Sequence, residues 1–195
     1  MFFSGKNFYT MGSSENPSFK KNIVFITGGA RSGKSNYAQE QALAISSNPV
    51  YVATAKVYPD DEEFKQRVHR HISDRDERWT STEEQLYVST LSLENKVVVI
   101  DCVTLWLTNF FSLYKYDVQP SLEAFKKEID ALKKINAGFF IISNEIGMGV
   151  HAETEIGRKF TDLQGWANQY VAGIADKVVL MVSGIPIAIK SEPGL

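Results

Sequence analysis

Short apolar runs recur along the chain and alternate with longer stretches of helical period. The runs are rich in Val, Ile and Phe and lie at 23–27, 50–53, 97–100, 139–142 and 178–182. Continuous apolar runs of this length, without alternating polar positions, are typical of strands that are buried on both faces of a parallel sheet. They therefore predict the central strands of such a sheet.

Apolar residues at spacings of three and four predict helices between these strands. The ranges with this spacing are 34–45, 61–73, 122–135 and 157–174. In the second range Phe64, Val68 and Ile72 form the apolar stripe. Strands that alternate with helices predict an α/β fold, a mostly parallel sheet flanked by helices.

The two ends of the chain stand outside this pattern. Residues 1–21 contain Gly, Ser, Asn and Pro without a sustained period, and we interpret them as a flexible N-terminal extension. Residues 191–195 form a short C-terminal tail. Because 195 residues suit one domain with a full core, residues 22–190 are predicted to be a single domain.

Composition and charge exclude several classes of protein. With 44% hydrophobic and 23% charged residues the chain is globular, and a net charge of −2 argues against a general nucleic-acid binder. Cys102 is the only cysteine, which excludes an internal disulfide and fits a reducing compartment. No apolar run approaches the roughly 18–20 residues that cross a bilayer. We therefore expect a cytoplasmic protein that recognises anions at a local site.

The first apolar run leads directly into a phosphate-binding motif. The motif is G-x-x-x-x-G-K-[ST], and its residues are Gly28, Gly29, Ala30, Arg31, Ser32, Gly33, Lys34 and Ser35. It lies between a predicted strand and a predicted helix, where backbone N–H groups and the helix N-terminus can surround phosphate oxygens. Lys34 is expected to reach the outer phosphates, and the Ser35 hydroxyl is expected to ligate Mg²⁺.

An acidic residue at the end of a neighbouring strand usually accompanies such a loop and helps to hold the metal. Asp101 directly ends the run 97–100 and is our candidate, the alternative being a residue that caps the following turn. The D-x-x-G and N-K-x-D signatures of regulatory GTPases are missing after Asp101 and Lys96. A GTPase cycle is therefore not expected.

Basic residues surround a histidine pair in and after the predicted helix 61–73. His71 lies four residues after Arg67, and Arg70, Arg75 and Arg78 are close by. A neutral imidazole can attack phosphorus while guanidinium groups neutralise the leaving pyrophosphate. The other interpretation is a solvated basic helix face, and the residues alone do not establish a nucleophile.

Six segments, in order, carry a resemblance to a known family. They are GGARSGKS, YVATA, RVHRH, IDCVTLWLTN, SNEIGMG and VSGIPIAIK. Together they resemble the bifunctional adenosylcobinamide kinase/adenosylcobinamide-phosphate guanylyltransferase family of cobalamin biosynthesis. The resemblance runs from Ile23 to Lys190 and leaves only the two tails aside.

The resemblance implies two reactions on a P-loop NTPase fold of RecA-like type. The first phosphorylates adenosylcobinamide with ATP or GTP. In the second, a histidine attacks the α-phosphate of GTP, and GMP then passes to adenosylcobinamide phosphate to give adenosylcobinamide-GDP. The guanylylated histidine of the family falls on His71 rather than on His69. A homotrimer is also implied by the resemblance alone.

Site residues follow from the same resemblance. Those implied at the guanine nucleotide are Gly28, Gly29, Ala30, Arg31, Ser32, Gly33, Lys34, Ser35, Ala53, Thr54, Ala55, Ile72, Ser73, Asp74, Arg75, Glu83 and Asp101. Ser35 and Asp101 are the expected Mg²⁺ ligands, although some family members have Glu at the position of Asp101. A second departure is His151, followed by Ala152, where proline is commoner. Glu145, after the fourth apolar run, is a candidate acceptor for the substrate proton in the kinase step.

Two alternatives remain open at this point. One is a P-loop small-molecule kinase without guanylyl transfer, against which His71 and Glu83 both argue. The other is a non-catalytic RecA-like nucleotide-binding module. For that class we would expect an arginine finger, a DNA-binding loop or a basic stripe, and the sequence offers none that is convincing.

Overall fold

The computed structural model describes residues 21–56, 76–149 and 151–191. The strands are β1 (Asn22–Gly28), β2 (Val50–Ala53), β3 (Thr80–Glu83), β4 (Val97–Asp101), β5 (Gly138–Ile142), β6 (Lys177–Val182) and β7 (Ile185–Lys190). The helices are α1 (Lys34–Ile45), α2 (Val103–Leu113), α3 (Val118–Lys134) and α4 (Glu155–Ile174), with a short 3-10 helix at Val88–Thr90.

The strands form one sheet in the order β3-β2-β4-β5-β1-β6-β7. All neighbours pair in parallel except β6 and β7, which form an antiparallel hairpin at the edge. The predicted mostly parallel α/β sheet is therefore confirmed, and each of the five apolar runs is a strand. Strands β3 and β7 were not predicted; the first is short and polar, and every residue of the second is exposed.

Helix α1 occupies the predicted range, whereas α3 and α4 begin earlier than predicted. The Asp117 carboxylate accepts a hydrogen bond from the Gln119 N–H, and the Thr154 hydroxyl accepts one from the Gly157 N–H. These N-terminal caps place the helix starts at Val118 and Glu155, ahead of the starts at 122 and 157 that were predicted from apolar spacing. Helix α2 was not predicted, although its buried residues Val103, Trp106, Leu107, Phe110 and Phe111 follow helical spacing.

The sheet separates two apolar cores of unequal size. The larger core lies under α2, α3 and α4, and Trp106 meets Phe125 there edge to face with ring centres 5.3 Å apart. The smaller core lies under α1 and includes Ala38, Ala42 and Met181. Burial on both faces explains why the central strands are apolar at most positions.

The remaining expectations about organisation have different outcomes. Within the described residues, no helix is long and apolar enough to cross a membrane. The predicted helix 61–73 lies outside the described residues, as do most residues of both predicted tails. The division into residues 1–21, 22–190 and 191–195 therefore stays a prediction.

Candidate nucleotide site

The register of the sheet brings several of the predicted site residues to one edge. Ala53 of β2 is paired with Asp101 on one side and with Glu83 on the other, and all three end their strands. Strand β5 lies between β4 and β1, so Glu145 follows the strand that separates Asp101 from Gly28. This is the carboxyl edge, where ligands bind in open α/β sheets.

The phosphate loop connects β1 to α1 through backbone conformations that require glycine. Gly28 has a φ of 149° and Gly33 a φ of 94°. A Cβ atom on Gly28 would lie 2.4 Å from the Met181 carbonyl oxygen, so even a methyl group does not fit. The Ser32 carbonyl also accepts a hydrogen bond from the Gly184 N–H at 3.0 Å, which ties the loop to the β6–β7 turn.

Lys34 lies within the curve of this loop. Its side chain is buried, and Nζ donates to the Gly29 carbonyl at 2.6 Å and to Ser32 Oγ at 3.4 Å. The ammonium group is therefore held where a P-loop binds the outer phosphates of a nucleotide.

Asp101 and Ser35 meet directly across the site. Ser35 Oγ donates to Asp101 Oδ2 at 2.9 Å, and the Tyr51 hydroxyl donates to the same oxygen at 2.6 Å. Two donors on one carboxylate oxygen fix the orientation of the group. Hydroxyl and carboxylate oxygens are the ligands that Mg²⁺ prefers, so these residues fit the metal that the fold implies.

Thr54 supports the chain that follows Asp101. Its side chain is fully buried, and its Oγ1 donates to the Cys102 carbonyl at 2.8 Å and accepts from the Cys102 N–H at 2.9 Å. The Asp101–Cys102 peptide bond is cis. Asn109 Nδ2 donates to the Thr54 carbonyl at 2.7 Å. The Thr54 hydroxyl is therefore committed to the backbone beside Asp101, a role that the sequence did not reveal.

Cys102 is buried and chemically quiet. Burial, followed by the nearby negative charge of Asp101, raises the pKa of its thiol to about 12. A thiol with this pKa stays protonated at neutral pH and is a poor nucleophile. The cysteine therefore contributes packing to the site rather than chemistry.

A polar cluster lies behind Glu145. Gln164 and Asn168 of α4 are both buried and are hydrogen-bonded to Ser143 and to each other. Neither residue was predicted from the sequence. Two large polar side chains one turn apart, next to the apolar stripe of a helix, could have indicated them.

Comparison with known proteins decides between the classes that the sequence left open. Residues 24–189 match the family described as "Cobinamide kinase / cobinamide phosphate guanyltransferase". The chain belongs to this family. This cobinamide kinase/guanyltransferase is therefore an enzyme of the bifunctional class that the sequence motifs indicated, and not a non-catalytic module.

Curated relatives agree over nearly their whole length. The bifunctional adenosylcobalamin biosynthesis protein CobU of Escherichia coli K12 is 34% identical over 183 residues, which cover 86% of this chain and 99% of that protein. The bifunctional adenosylcobalamin biosynthesis protein CobP of Pseudomonas aeruginosa is 35% identical over 177 residues, with 86% and 97% covered.

Solved structures support the fold of this cobinamide kinase/guanyltransferase. The PH0250 protein of Pyrococcus horikoshii OT3 has a TM-score of 0.52 at 9% identity, covering 89% of this chain and 88% of that chain. A prototypical ATPase from a bacterial type III secretion system has a TM-score of 0.50 at 12% identity, covering 82% and 50%. At such identities the likeness shows the fold alone, a mostly parallel sheet flanked by helices.

The predicted site residues of this cobinamide kinase/guanyltransferase fall into two groups. The phosphate loop, residues 53–55, Glu83 and Asp101 share the carboxyl edge of the sheet. His71, Ile72, Ser73, Asp74 and Arg75 lie outside the described residues, as do His69, Arg67 and Arg70. Their roles stay predictions.

Proposed function

We propose that this enzyme phosphorylates adenosylcobinamide with ATP or GTP and then transfers GMP from GTP to the product through a guanylyl-histidine at His71. The observation that carries the proposal is the hydrogen bond of 2.9 Å between Ser35 and Asp101, at the mouth of a complete phosphate loop. This arrangement suits reactions at nucleoside triphosphates, and membership of the family supplies the substrate class.

Ser35 and Asp101 would hold Mg²⁺ in both reactions. When bound, the metal supplies positive charge that neutralises the phosphate oxygens. The chain's own contribution is orientation, because the hydrogen bonds from Ser35 and Tyr51 fix the Asp101 carboxylate before any ligand binds. Lys34 and the loop N–H groups would position the phosphate chain.

In the kinase step, the hydroxyl oxygen of adenosylcobinamide attacks the γ-phosphorus of the nucleotide. A bond forms between that oxygen and phosphorus, the bond to the β–γ bridging oxygen breaks, and the nucleoside diphosphate leaves. Glu145 would accept the hydroxyl proton. Its backbone N–H donates to the Gly28 carbonyl at 3.0 Å, which keeps it at the start of the phosphate loop.

In the guanylyl step, an imidazole nitrogen of His71 attacks the α-phosphorus of GTP and pyrophosphate leaves. The phosphate of adenosylcobinamide phosphate then attacks the same phosphorus and releases the histidine. Position along the chain supports this role. Trp79, eight residues after His71, packs edge to face on Tyr51 with ring centres 5.9 Å apart, and Tyr51 touches Asp101.

The activity test separates this function from a kinase without guanylyl transfer. Wild-type protein with Mg²⁺, adenosylcobinamide and γ-labelled ATP or GTP is expected to form labelled adenosylcobinamide phosphate, and unlabelled GTP should then convert it to adenosylcobinamide-GDP. His71→Ala should stop at adenosylcobinamide phosphate. Lys34→Ala should impair both steps, and unchanged activity in that variant would contradict the phosphate-loop assignment.

The proposed homotrimer has support that the sequence analysis did not find. The side chains of Ile185, Ile187 and Ile189 on edge strand β7 are 64%, 45% and 59% exposed. An exposed apolar edge strand is a common site of association between chains. Light scattering on the purified protein would test for three copies. We also infer a cytoplasmic location, where nucleoside triphosphates are supplied and the thiol of Cys102 stays reduced.

A further inference from the structure

Helix α4 places two large polar side chains in the protein interior. Gln164 is fully buried and Asn168 is 7% exposed, and they lie one turn apart on the same face of the helix. Their helical neighbours Leu163, Ala167 and Val171 are apolar and fully buried. Polar side chains rarely occupy such buried positions unless they are hydrogen-bonded to a specific partner.

The two side chains form a closed arrangement with Ser143, and we name these three residues the polar brace. Gln164 Nε2 donates to Ser143 Oγ and to Asn168 Oδ1, both at 2.9 Å. Ser143 Oγ donates to Asn168 Oδ1 at 2.7 Å. Because Oδ1 of Asn168 accepts two hydrogen bonds, the orientation of its amide group is fixed.

The fixed amide group of Asn168 points its Nδ2 at the segment after β5. Nδ2 donates to the Asn144 carbonyl at 3.1 Å and lies 3.5 Å from Glu145 Oε2. The other carboxylate oxygen, Oε1, accepts from the Gly147 N–H at 3.2 Å. Both oxygens of Glu145 are thus oriented, one from α4 and one from its own loop.

The same segment is joined to the phosphate loop through its backbone. The Ser143 N–H donates to the Ile26 carbonyl at 2.9 Å, and the Glu145 N–H donates to the Gly28 carbonyl at 3.0 Å. A shift of the segment would therefore move Glu145 relative to Gly28, the first residue of the loop. The brace therefore contacts a segment that is itself hydrogen-bonded to β1 and to the start of the phosphate loop.

Stability alone does not explain the brace. Oε1 of Gln164 is buried without a hydrogen-bond partner in the part of the chain that the structure describes. A buried network with an unsatisfied acceptor is less favourable than apolar packing of similar volume. Departures of this kind concentrate at functional sites.

We propose that Asn168, held by Ser143 and Gln164, is a positioning residue that aims the Glu145 carboxylate at the substrate hydroxyl in the kinase step. This inference rests on the proposed function. It assigns no role to the brace in guanylyl transfer, because the nucleophile there is His71 and the hydroxyl proton has already left. The two reactions of one enzyme therefore provide an internal comparison.

The test uses Asn168→Ala, with Gln169→Ala as the matched control because Gln169 is the next residue on α4 and is exposed. Asn168→Ala is expected to lower kcat for adenosylcobinamide phosphorylation about tenfold to a hundredfold, with KM for the nucleotide changed less than about twofold. Guanylyl transfer to supplied adenosylcobinamide phosphate should stay within about twofold of wild type. The control should match wild type in both reactions.

A double-mutant cycle with Glu145→Gln tests whether Asn168 acts through Glu145. If it does, Asn168→Ala causes no further loss of kinase kcat once Glu145 is replaced, whereas independent effects would multiply. Ser143→Ala, which removes one hydrogen bond to Asn168 and keeps the amide, should give a smaller loss in the same direction. It serves if Asn168→Ala does not fold.

The outcomes of these experiments distinguish failure of the inference from failure of the proposed function. Equal losses in both reactions, multiplicative losses in the cycle, or an unchanged kinase kcat in Asn168→Ala would overturn the inference while leaving the proposed function in place. Wild-type protein that phosphorylates no adenosylcobinamide would overturn the proposed function itself.

Discussion

The Tyr51 hydroxyl donates a hydrogen bond of 2.6 Å to Asp101 Oδ2, the oxygen that also accepts from Ser35. Tyr51 is buried in β2, and Trp79 packs against its ring just before β3. One side chain therefore connects the proposed metal-binding carboxylate to the part of the chain that follows His71. The contact links two regions that are separate motifs in the sequence, the strand end at Asp101 and the segment after His71.

Tyr51→Phe removes this hydrogen bond and keeps the ring against Trp79. Because partners of metal-ligating groups tune metal affinity, we expect the Mg²⁺ concentration that supports half-maximal binding of a fluorescent GTP analogue to rise about tenfold. Tyr87→Phe is the control, since Tyr87 is 51% exposed and lies outside the strands, in the segment after β3. An unchanged Mg²⁺ dependence in Tyr51→Phe would show that the hydrogen bond from Tyr51 does not support Mg²⁺ binding at Asp101.

Two adjacent glycines offer a matched pair in the phosphate loop. Gly28→Ala would place a Cβ 2.4 Å from the Met181 carbonyl at a φ of 149°, whereas a Cβ on Gly29 has nothing within 4 Å. We expect Gly28→Ala to lose about 2 kcal/mol or more of unfolding free energy, and Gly29→Ala to stay within about 0.5 kcal/mol of wild type. Urea unfolding measures both. Equal stability of the two variants would contradict the loop geometry.

Thr54 is predicted to matter for stability because its hydroxyl satisfies both the N–H and the carbonyl of Cys102. Thr54→Val leaves these buried groups without a partner and should lower the free energy of unfolding by about 1–3 kcal/mol. Thr54→Ser retains the hydroxyl and should recover most of the loss. If valine and serine behave alike in urea unfolding, the hydroxyl is not the stabilising group.

The raised pKa of Cys102 predicts how its thiol reacts with labelling reagents and how the stability of the protein depends on pH. Its ordinary pKa is 9.0 and its pKa in the folded protein is about 12, so the folded thiol stays protonated where the unfolded thiol ionises. The contribution to stability is complete below pH 9 and is lost as pH rises from 9 to 12. At pH 8 a thiol reagent should label the denatured protein quickly and the folded protein very slowly. Rapid labelling of the folded protein would show that Cys102 is accessible.

The sequence predicted those parts of the fold that repeat a simple pattern. The five apolar runs became strands because burial on both faces leaves no place for polar residues, and α1 follows directly from the phosphate loop. Helix α2 was missed although Trp106, Leu107 and Phe110 are buried at helical spacing, and Thr108 and Ser112 are exposed on its other side. Strand β7 was also missed, and its apolar residues Ile185 and Ile187 are exposed rather than part of the core.

The candidate site was predictable where a residue carries its chemistry in a motif. Lys34, Ser35 and Asp101 are of that kind, and the structure brings them together. Tyr51 and Asn168 instead contact site residues that are distant in the sequence. Tyr51 is 50 positions from Asp101, and Asn168 is 23 positions from Glu145. Only the packing of β2 on β4 and of α4 behind β5 reveals them.

The central claim is the guanylyl-histidine, and retained label tests it most directly. Wild-type protein and His71→Ala would each be incubated with Mg²⁺ and GTP labelled at either the α- or the γ-phosphate, then denatured and washed. Wild-type protein should keep acid-labile, base-stable label from the α-position only, and His71→Ala should keep none. Label retained by His71→Ala, or absent from wild-type protein that still binds the nucleotide, would contradict the proposed mechanism.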